Sequence, residues 1–246
     1  MESIRLLGVR IDKVDMNGAV EAAVQFVESG KPHYVVTADA SSVVIAQKDP
    51  EFREIVNRAD LVTPDSAGIL LASKWYGSPI TDKVSGCDFA VEICAAAAKR
   101  GYRIFLLGAA HGVAEDAAAV LVSKFPGLVI AGVHDGFFND DERVVRLIRE
   151  SGSHILFVAM GIPKQEKWIS RYLDQLGVCV AVGVGGTFDV ISGRVKRAPE
   201  WMRRHGLEWA YRLLCNPRKI GKVMTLPKFL WLVFIDRFVS RKRELV

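Results

Sequence analysis

The stretch RIFLLGAAHGVAEDAAAVLVSK, residues 103–124, decides the fold class. It opens with the short apolar run Arg103–Leu107, which is typical of a buried strand. A glycine-bounded turn, Gly108–Gly112, then leads into the alanine-rich helical pattern Val113–Lys124. Because a strand, a tight turn and a helix in this order are the repeating unit of parallel sheets, the stretch predicts an α/β protein.

The same unit recurs on both sides of this stretch. Helical patterns separate most of the other short β-branched or apolar runs, which are Ile4–Ile11, His33–Thr37, Leu61–Thr63, Leu128–Val133, His154–Ala159 and Val178–Val182. We expect each run to form one strand. The sequence therefore predicts a Rossmann-like parallel sheet with helices on both faces, followed by a helical appendage at the C-terminal end.

Polar and glycine-rich residues fall just after the predicted strands. They are Thr37, Asp39, Asp65, Gly108, Gly112, Asp135, Gly136, Gly161, Lys164, Gln165, Gly185 and Gly186. Ligands of open parallel sheets bind outside the carboxyl ends of the strands, where helix N-termini favour phosphate. The sequence thus predicts one ligand cleft that is assembled from several separate turns.

Asp65 follows Pro64 at a predicted strand end and has two interpretations. A carboxylate in front of a helix is commonly an N-cap. A carboxylate that projects into a cleft, within reach of an acceptor hydroxyl, is suited to act as a general base. Thr37 and Asp39 follow the preceding strand and are expected to flank Asp65, with helix capping as the alternative for Asp39.

Two glycine turns have both a binding and a structural interpretation. Gly108-x-x-x-Gly112 opens a helix and can cradle a diphosphate, but a plain tight turn has the same pattern. In the turn that begins at Gly161, Lys164 and Gln165 crowd a helix start that faces the predicted cleft. They are candidates for phosphate or sugar contacts, and a solvated first turn is the alternative.

The sequence carries no metal, dinucleotide or serine-hydrolase signature. It has no D-x-D pair, its five histidines lack metal-ligand spacing, and G-x-G-x-x-G, the Walker lysine and the G-x-S-x-G elbow are absent. The four cysteines are scattered, which favours buried thiols in a reducing cytosol. We therefore expect no metal and no cofactor, and a nucleotide-dependent oxidoreductase is disfavoured.

The charge is distributed unevenly along the chain. Residues 196–246 carry 13 Lys or Arg against 4 Asp or Glu, whereas residues 1–195 carry 20 against 24. Three of the five tryptophans, Trp201, Trp209 and Trp231, lie in the basic segment. The composition predicts a globular domain over residues 1–195 and a basic, aromatic appendage over residues 196–246.

The appendage has three interpretations. Basic flanks with Trp and Phe, but without the roughly 20 apolar residues of a spanning helix, describe an interfacial helix on an anionic membrane. A nucleic-acid arm explains the charge but not the apolar residues, so we expect no nucleic acid. Packing on the globular domain or on a second subunit of a homo-oligomer stays open beside membrane contact. Without a signal-peptide pattern, the sequence predicts a cytoplasmic, peripheral protein.

In their order and spacing, these motifs resemble the WecG/TagA/CpsF glycosyltransferase family over almost the whole chain. The matching elements are Thr37-x-Asp39, Pro64-Asp65-x-x-Gly68, Val84-x-Gly86-x-Asp88, Gly108–Gly112, Gly161-x-Pro163-x-Gln165-Glu166-x-Trp168, GVGGTFDVISGRVKRAP (183–199) and Glu208-Trp209-x-Tyr211-Arg212-Leu213. Each element alone is weakly specific, whereas the ordered set is strongly specific.

The resemblance implies an inverting, metal-independent enzyme that moves a sugar from a UDP-sugar, its substrate, to a lipid-linked acceptor on the inner face of the bacterial plasma membrane. In the best-known branch, N-acetylmannosamine (ManNAc) passes from UDP-ManNAc to N-acetylglucosamine (GlcNAc) on undecaprenyl diphosphate, in the synthesis of teichoic acid or related surface polymers. By the same resemblance, Asp65 is catalytic and Thr37 and Gln165 belong to the active site. The basic residues that the appendage adds to the site fall on Arg212, Lys219 and Lys222.

This chain departs from the family pattern at several of these positions. The family usually has Asn at Asp39, so this second carboxylate is a further catalytic candidate, which is expected either to compete with Asp65 as the base or to raise the pKa of Asp65. Lys83, Lys219 and Lys222 stand where Arg is common, which keeps the charge but loses bidentate phosphate geometry. The sugar therefore stays open, with another UDP-hexose or a uronic acid donor for exopolysaccharide or capsule as the alternative. A non-catalytic nucleotide-binding membrane protein is the more remote one.

Overall fold

The computed structural model of this chain describes residues 1–204, 208, 210, 211 and 225–240. The chain begins with a two-stranded antiparallel hairpin, β1 (Ser3–Leu6) and β2 (Val9–Asp12). The prediction of one strand over Ile4–Ile11 was wrong. Leu7 and Gly8 both have positive φ angles, 49° and 82°, and such a pair forms a tight hairpin turn.

A six-stranded sheet forms the centre of the molecule, in the order β4-β3-β8-β7-β5-β6. Its strands are β3 (His33–Ala38), β4 (Leu61–Pro64), β5 (Arg103–Gly108), β6 (Val129–His134), β7 (Ile155–Ala159) and β8 (Val180–Gly183). Every neighbouring pair is parallel, so all the carboxyl ends meet at one edge. The predicted parallel sheet is confirmed.

Helices follow the strands and cover both faces of the sheet. Their bounds are α1 (Met16–Ser29), α2 (Ala40–Ala46), α3 (Pro50–Arg58), α4 (Ala67–Trp75), α5 (Gly86–Arg100), α6 (Val113–Lys124), α7 (Asp141–Glu150), α8 (Lys164–Leu176), α9 (Thr187–Ile191), α10 (Glu200–Arg204) and α11 (Thr225–Phe234), which continues as a π-helix over Ile235–Ser240. Successive side chains of a strand point to opposite faces, and β5 shows the result. Phe105 and Leu107 pack in one apolar core, and Ile104 and Leu106 pack in the other.

Helix α11 packs against α2 and α4 of the globular domain. Its Phe229 and Val233 are fully buried in the same core as Phe105. At Gly68 of α4, a Cβ atom would come within 2.6 Å of the Leu226 side chain, so the missing side chain lets α11 approach. The packing interpretation of the appendage therefore holds for this helix. Among the described residues, none of the helices combines the length and the hydrophobicity that a membrane-spanning segment requires.

Candidate active site

Two neighbouring strand ends bring the predicted catalytic residues together. Strands β3 and β4 pair in parallel with Thr37 opposite Thr63, so Asp39 and Asp65 both emerge just past the same edge. The backbone N–H of Asp65 donates to the carbonyl oxygen of Ala38 at 2.9 Å. The sheet register therefore fixes the backbone positions from which Thr37, Asp39 and Asp65 project.

Asp65 does not cap the helix that follows it. Ser66 is the N-cap of α4, and its hydroxyl accepts the N–H of Ile69 at 3.3 Å. The Oδ2 atom of Asp65 instead accepts the N–H of Gly86 at the start of α5, at 3.0 Å. A Cβ atom on Gly86 would lie 3.2 Å from that oxygen and 3.0 Å from Oγ1 of Thr37. Asp65 and Thr37 thus meet at a point that only glycine leaves open.

The environment of Asp65 tunes its proton affinity to neutral pH. Burial raises the pKa of Asp65 to about 7, and the negative charges of Asp39 and Glu208 act in the same direction. The Gly86 N–H and the Lys83 ammonium oppose this rise in pKa. A carboxyl group that titrates near pH 7 is suited to accept a proton from an alcohol at physiological pH.

Asp39 and Thr37 have structural partners in addition to their place in the site. Asp39 caps α2, since its Oδ1 accepts the N–H of Ser42 at 2.8 Å and the hydroxyl of the same serine at 3.1 Å. Thr37 Oγ1 donates to the carbonyl oxygen of Gly183 at 2.9 Å and so ties the end of β3 to the end of β8. The capping alternative is thus realised for Asp39.

Gln165 joins the turns that follow β7 and β8. Its Oε1 accepts the N–H groups of Gly161 and Gly185, both at 3.0 Å, and its Nε2 donates to Glu166 at 2.7 Å. Only 2% of Gln165 is exposed. In this structure, Gln165 holds the backbone of the two turns in place.

Glu166 is a buried acid for which the sequence alone suggested no role. Only 1% of it is exposed, and Oε2 has no hydrogen-bond partner among the described residues. Burial raises the pKa of Glu166 to about 7, the Gln165 amide opposes the rise, and the charge of Asp39 adds to it. The folded state therefore holds a proton that the unfolded state releases above about pH 4.5. Because of this difference, the contribution of Glu166 to stability falls as the pH rises through about 7.

The predicted nucleotide-binding turns gather at the ends of β5, β6 and β7. Gly108 has a φ of 125°, and a Cβ atom there would lie 2.5 Å from the Ala159 carbonyl oxygen, so the position requires glycine. The N–H of Gly136 donates to the Ala109 carbonyl at 2.9 Å, and Lys164 Nζ lies 3.4 Å from the Gly136 carbonyl.

The other residues of these turns cap or shape local structure. Asp135 accepts the N–H of Phe137 at 2.8 Å, and Gly112 and Gly186 stand at the N-termini of α6 and α9. Gln165 is hydrogen-bonded to Gly161 and Gly185, and Gly183, two residues before Gly185, accepts the hydrogen bond of Thr37, so these turns adjoin the end of β3. One continuous strand-end surface results.

The appendage reaches this surface at the residues of it that the structure describes. Glu208 Oε2 lies 3.7 Å from Nζ of Lys83 in the loop beside Asp65. The predicted basic residues Arg212, Lys219 and Lys222 lie outside the described residues. Among the described residues, no group of three His, Cys, Asp or Glu side chains is placed to hold a metal ion.

Comparisons with known proteins identify the family of this chain. Residues 4–243 match the model of the glycosyl transferase WecG/TagA/CpsF family. The chain is 35% identical, over 88% of its length and 84% of the relative, to the N-acetylglucosaminyldiphosphoundecaprenol N-acetyl-beta-D-mannosaminyltransferase of Bacillus spizizenii. A Bacillus subtilis protein of the same name is 33% identical over 83% of both chains. The Staphylococcus aureus NCTC 8325 protein of that name is 32% identical over 98% of this chain and 94% of its own.

Proposed function

Because the chain belongs to the WecG/TagA/CpsF glycosyltransferase family, we propose that it transfers ManNAc from UDP-ManNAc to GlcNAc on undecaprenyl diphosphate. The acceptor and the sugar are those in the names of the relatives. The product would enter a cell-surface polymer of the teichoic acid type.

The observation that carries the proposal is the environment of Asp65. Its carboxylate lies at a strand end, beside Thr37, and accepts one N–H from Gly86 instead of capping α4. In the proposed reaction, the acceptor hydroxyl oxygen attacks the anomeric carbon while Asp65 takes the hydroxyl proton. The bond between that carbon and the diphosphate breaks, and UDP leaves with the electron pair. A single displacement of this kind inverts the anomeric configuration.

The leaving diphosphate needs positive charge and N–H donors, and we propose that no metal supplies them. Lys164 is one cation of the described strand-end surface, and the first turn of α6 after Gly112 receives no side-chain cap from the described residues, which leaves its N-terminus open to an anion. Arg212, Lys219 and Lys222 are the further cations that the family resemblance implies. Donors that are already oriented stabilise the charge that develops on the leaving oxygen.

Membrane contact fits the position of α11. It packs on α2, which begins directly after Asp39, and on α4, which begins two residues after Asp65. The outward side chains of this C-terminal segment include Trp231, Phe234 and Phe238. We propose that this face binds the anionic inner surface of the plasma membrane, so that the site meets an acceptor held in the bilayer.

A donor screen tests the proposed function. The full-length protein is incubated with a GlcNAc-diphosphate lipid analogue and, in separate reactions, UDP-ManNAc, UDP-GlcNAc, UDP-glucose and UDP-glucuronic acid. We expect UDP release and a lipid product heavier by one N-acetylhexosamine with UDP-ManNAc. Release of UDP with only one of the other donors would contradict the proposal that ManNAc is the transferred sugar. Tight UDP binding without release from any donor would favour the non-catalytic alternative.

The replacement Asp39→Asn is expected to move the pH profile of activity towards lower pH. The negative charge of Asp39 helps to raise the pKa of Asp65, so its removal lets Asp65 ionise at lower pH, by up to about one pH unit. Asparagine caps helices as well as aspartate does, so α2 should keep its start. The measurement is the initial rate of UDP release between pH 5.5 and 9.

Asp140→Asn is the matched control for this change. Asp140 caps α7 by accepting the Arg143 N–H at 2.9 Å, and it is not among the charges that act on Asp65. In Asp140→Asn, the midpoint of the pH profile of activity should be the same as in the wild-type protein. A midpoint that rises in Asp39→Asn, or stays put, would contradict the electrostatic role of Asp39.

A further inference from the structure

The segment Lys83–Asp88 runs along the end of β4 and supplies the hydrogen bond that Asp65 accepts. The Val84 N–H donates to the Pro64 carbonyl at 2.9 Å, and two residues later the Gly86 N–H donates to Asp65 at 3.0 Å. The position of this segment therefore decides how Asp65 is held.

The guanidinium group of Arg197 contacts this segment on both sides of Gly86. Its Nη1 and Nη2 atoms donate to the two carboxylate oxygens of Asp88 at 2.5 and 2.6 Å. Nη2 also lies 3.3 Å from the hydroxyl of Ser85. The Arg197 side chain is only 20% exposed, and a planar guanidinium in a two-pronged contact fixes its partner in orientation as well as in distance.

Ser85 and Asp88 have the spacing of a capping box, but Ser85 does not cap the helix here. In a capping box the serine hydroxyl accepts an N–H of the first helical turn. Ser85 is the N-cap residue of α5 and makes no such bond, because its hydroxyl faces Arg197. The start of α5 is thus held from outside the helix, by a residue that lies 109 positions later than Asp88.

We propose that Arg197 is a positioning residue for the transfer reaction. By binding Ser85 and Asp88, it holds the Gly86 N–H within hydrogen-bond distance of the Asp65 carboxylate. The proposal rests on the proposed role of Asp65 as the base. The charges that act most strongly on Asp65 are Asp39 from the end of β3, Lys83 from the loop and Glu208 from the appendage, whereas Arg197 is bound to Asp88 and Ser85. Cys87, on the first turn of α5, is the neighbouring thiol. Arg197 therefore acts through the backbone of Gly86.

The experiment compares Arg197→Lys and Asp88→Asn with the wild-type protein. Arg197→Lys keeps the positive charge but loses the bidentate contact with Asp88. Asp88→Asn disrupts the same contact by changing the carboxylate partner. The titration midpoint of Asp65 is read by ¹³C carboxyl NMR and assigned with Asp65→Asn. With less support from the Gly86 N–H, the midpoint should rise by about one pH unit in both variants. The kcat should fall roughly 10- to 100-fold, with KM for the donor little changed.

Two comparisons separate positioning from a general loss of structure. The double variant should be no worse than the worse single variant, because both changes break one contact. Lys167→Ala removes ion pairs to Asp49 and Glu51 between α8 and α3 and should leave the Asp65 midpoint unmoved.

An unmoved Asp65 midpoint in folded Arg197→Lys and Asp88→Asn would overturn the proposal. Thermal unfolding identifies a variant that fails to fold, and the other variant then decides. A midpoint that moves while the rate of transfer does not would support the contact by which Arg197 holds the Gly86 N–H, but it would contradict the expected fall in kcat. The same outcome would remove Asp65 from the role of base, so the two proposals fail separately.

Discussion

Asp65→Asn is expected to lower kcat by roughly 10²- to 10⁴-fold, the usual contribution of a general base, and to leave the affinity for UDP unchanged. Asparagine has nearly the same shape, and its carbonyl oxygen can still accept the Gly86 N–H that Asp65 accepts at 3.0 Å. Its amide cannot take up the acceptor proton. The measurements are steady-state rates with the lipid analogue and calorimetric titration with UDP.

The raised pKa of Asp65 also predicts how the Asp65→Asn substitution affects stability. Burial raises this pKa to about 7, so the folded protein holds a proton that the unfolded chain releases above about pH 4. The stability that Asp65 contributes is therefore lost as the pH rises through about 7. Asp65→Asn removes this charge and should not unfold more easily than the wild-type protein at pH 8. Lower activity without lower stability is the signature of a residue selected for catalysis.

Asp49→Asn is a suitable control, because Asp49 also accepts a backbone N–H, that of Phe52 at the start of α3. It should retain activity. If Asp65→Asn turned over substrate at a near-normal rate, the base would have to be sought elsewhere, with Asp39 next in line. If UDP binding disappeared together with turnover, Asp65 would be part of the binding site instead.

The α/β architecture was predictable because hydrophobic period and turn chemistry agree along most of the chain. Arg103–Lys124 forms β5 and α6 as the pattern indicates. The exception is the N-terminal run, where the alternation in burial shifts by one residue at Leu7-Gly8: Ile4 and Leu6 are buried before the turn, and Val9 and Ile11 after it. One continuous strand would keep the same alternation throughout, so this shift, together with the positive φ angles at the turn, distinguishes the hairpin from one long strand.

The site was predictable in its location but not in its contacts. Parallel strands place Thr37 and Asp65 at one edge, so their positions follow from the fold class. Whether Asp65 caps a helix depends on Ser66 taking that role, and a helix start offers several candidates. Gly86 and Arg197 act on Asp65 through long-range contacts that no local pattern contains.

Glu166 is another residue whose environment could not be predicted from the sequence. A glutamate in the first turn of a helix normally faces water, and it complements the helix dipole there. Here it lies under the ends of β3 and β8, and Asp39 adds to its raised pKa. Burial of that side chain follows from how α8 crosses the sheet. The sequence of α8 alone does not specify that crossing.

The packing of the appendage is a further feature that its composition could not resolve. Helix α11 is apolar nearly all round, so its sequence indicates burial without saying against what. Phe229 and Val233, one turn apart, face the globular domain, whereas Trp231 and Phe234 are 62% and 44% exposed. Trp231 stacks on Phe234, and the two rings form one outward patch.

Because one face of α11 is buried and the other is exposed, substitutions on the exposed face can test membrane binding without disturbing the core. Trp231→Ser combined with Phe234→Ser should weaken binding to vesicles with anionic lipids by roughly 100-fold. The estimate takes about 1.5 kcal/mol for each aromatic side chain that would enter the interface. Co-sedimentation with vesicles that contain phosphatidylglycerol measures the change. Turnover of a water-soluble acceptor should be retained, since neither side chain belongs to the strand-end surface.

Substitutions on the outer face test membrane binding more directly than removal of residues 196–246, because a truncated chain would also lose Phe229 and Val233 from the core. The matched control is Val120→Ser with Val122→Ser, which removes two exposed apolar side chains from α6. That helix packs on β5, β6 and α9, whereas α11 packs on α2 and α4. Equal losses of vesicle binding in both double variants would indicate general surface hydrophobicity. Undiminished binding of the α11 variant would place the membrane contact on another part of the chain.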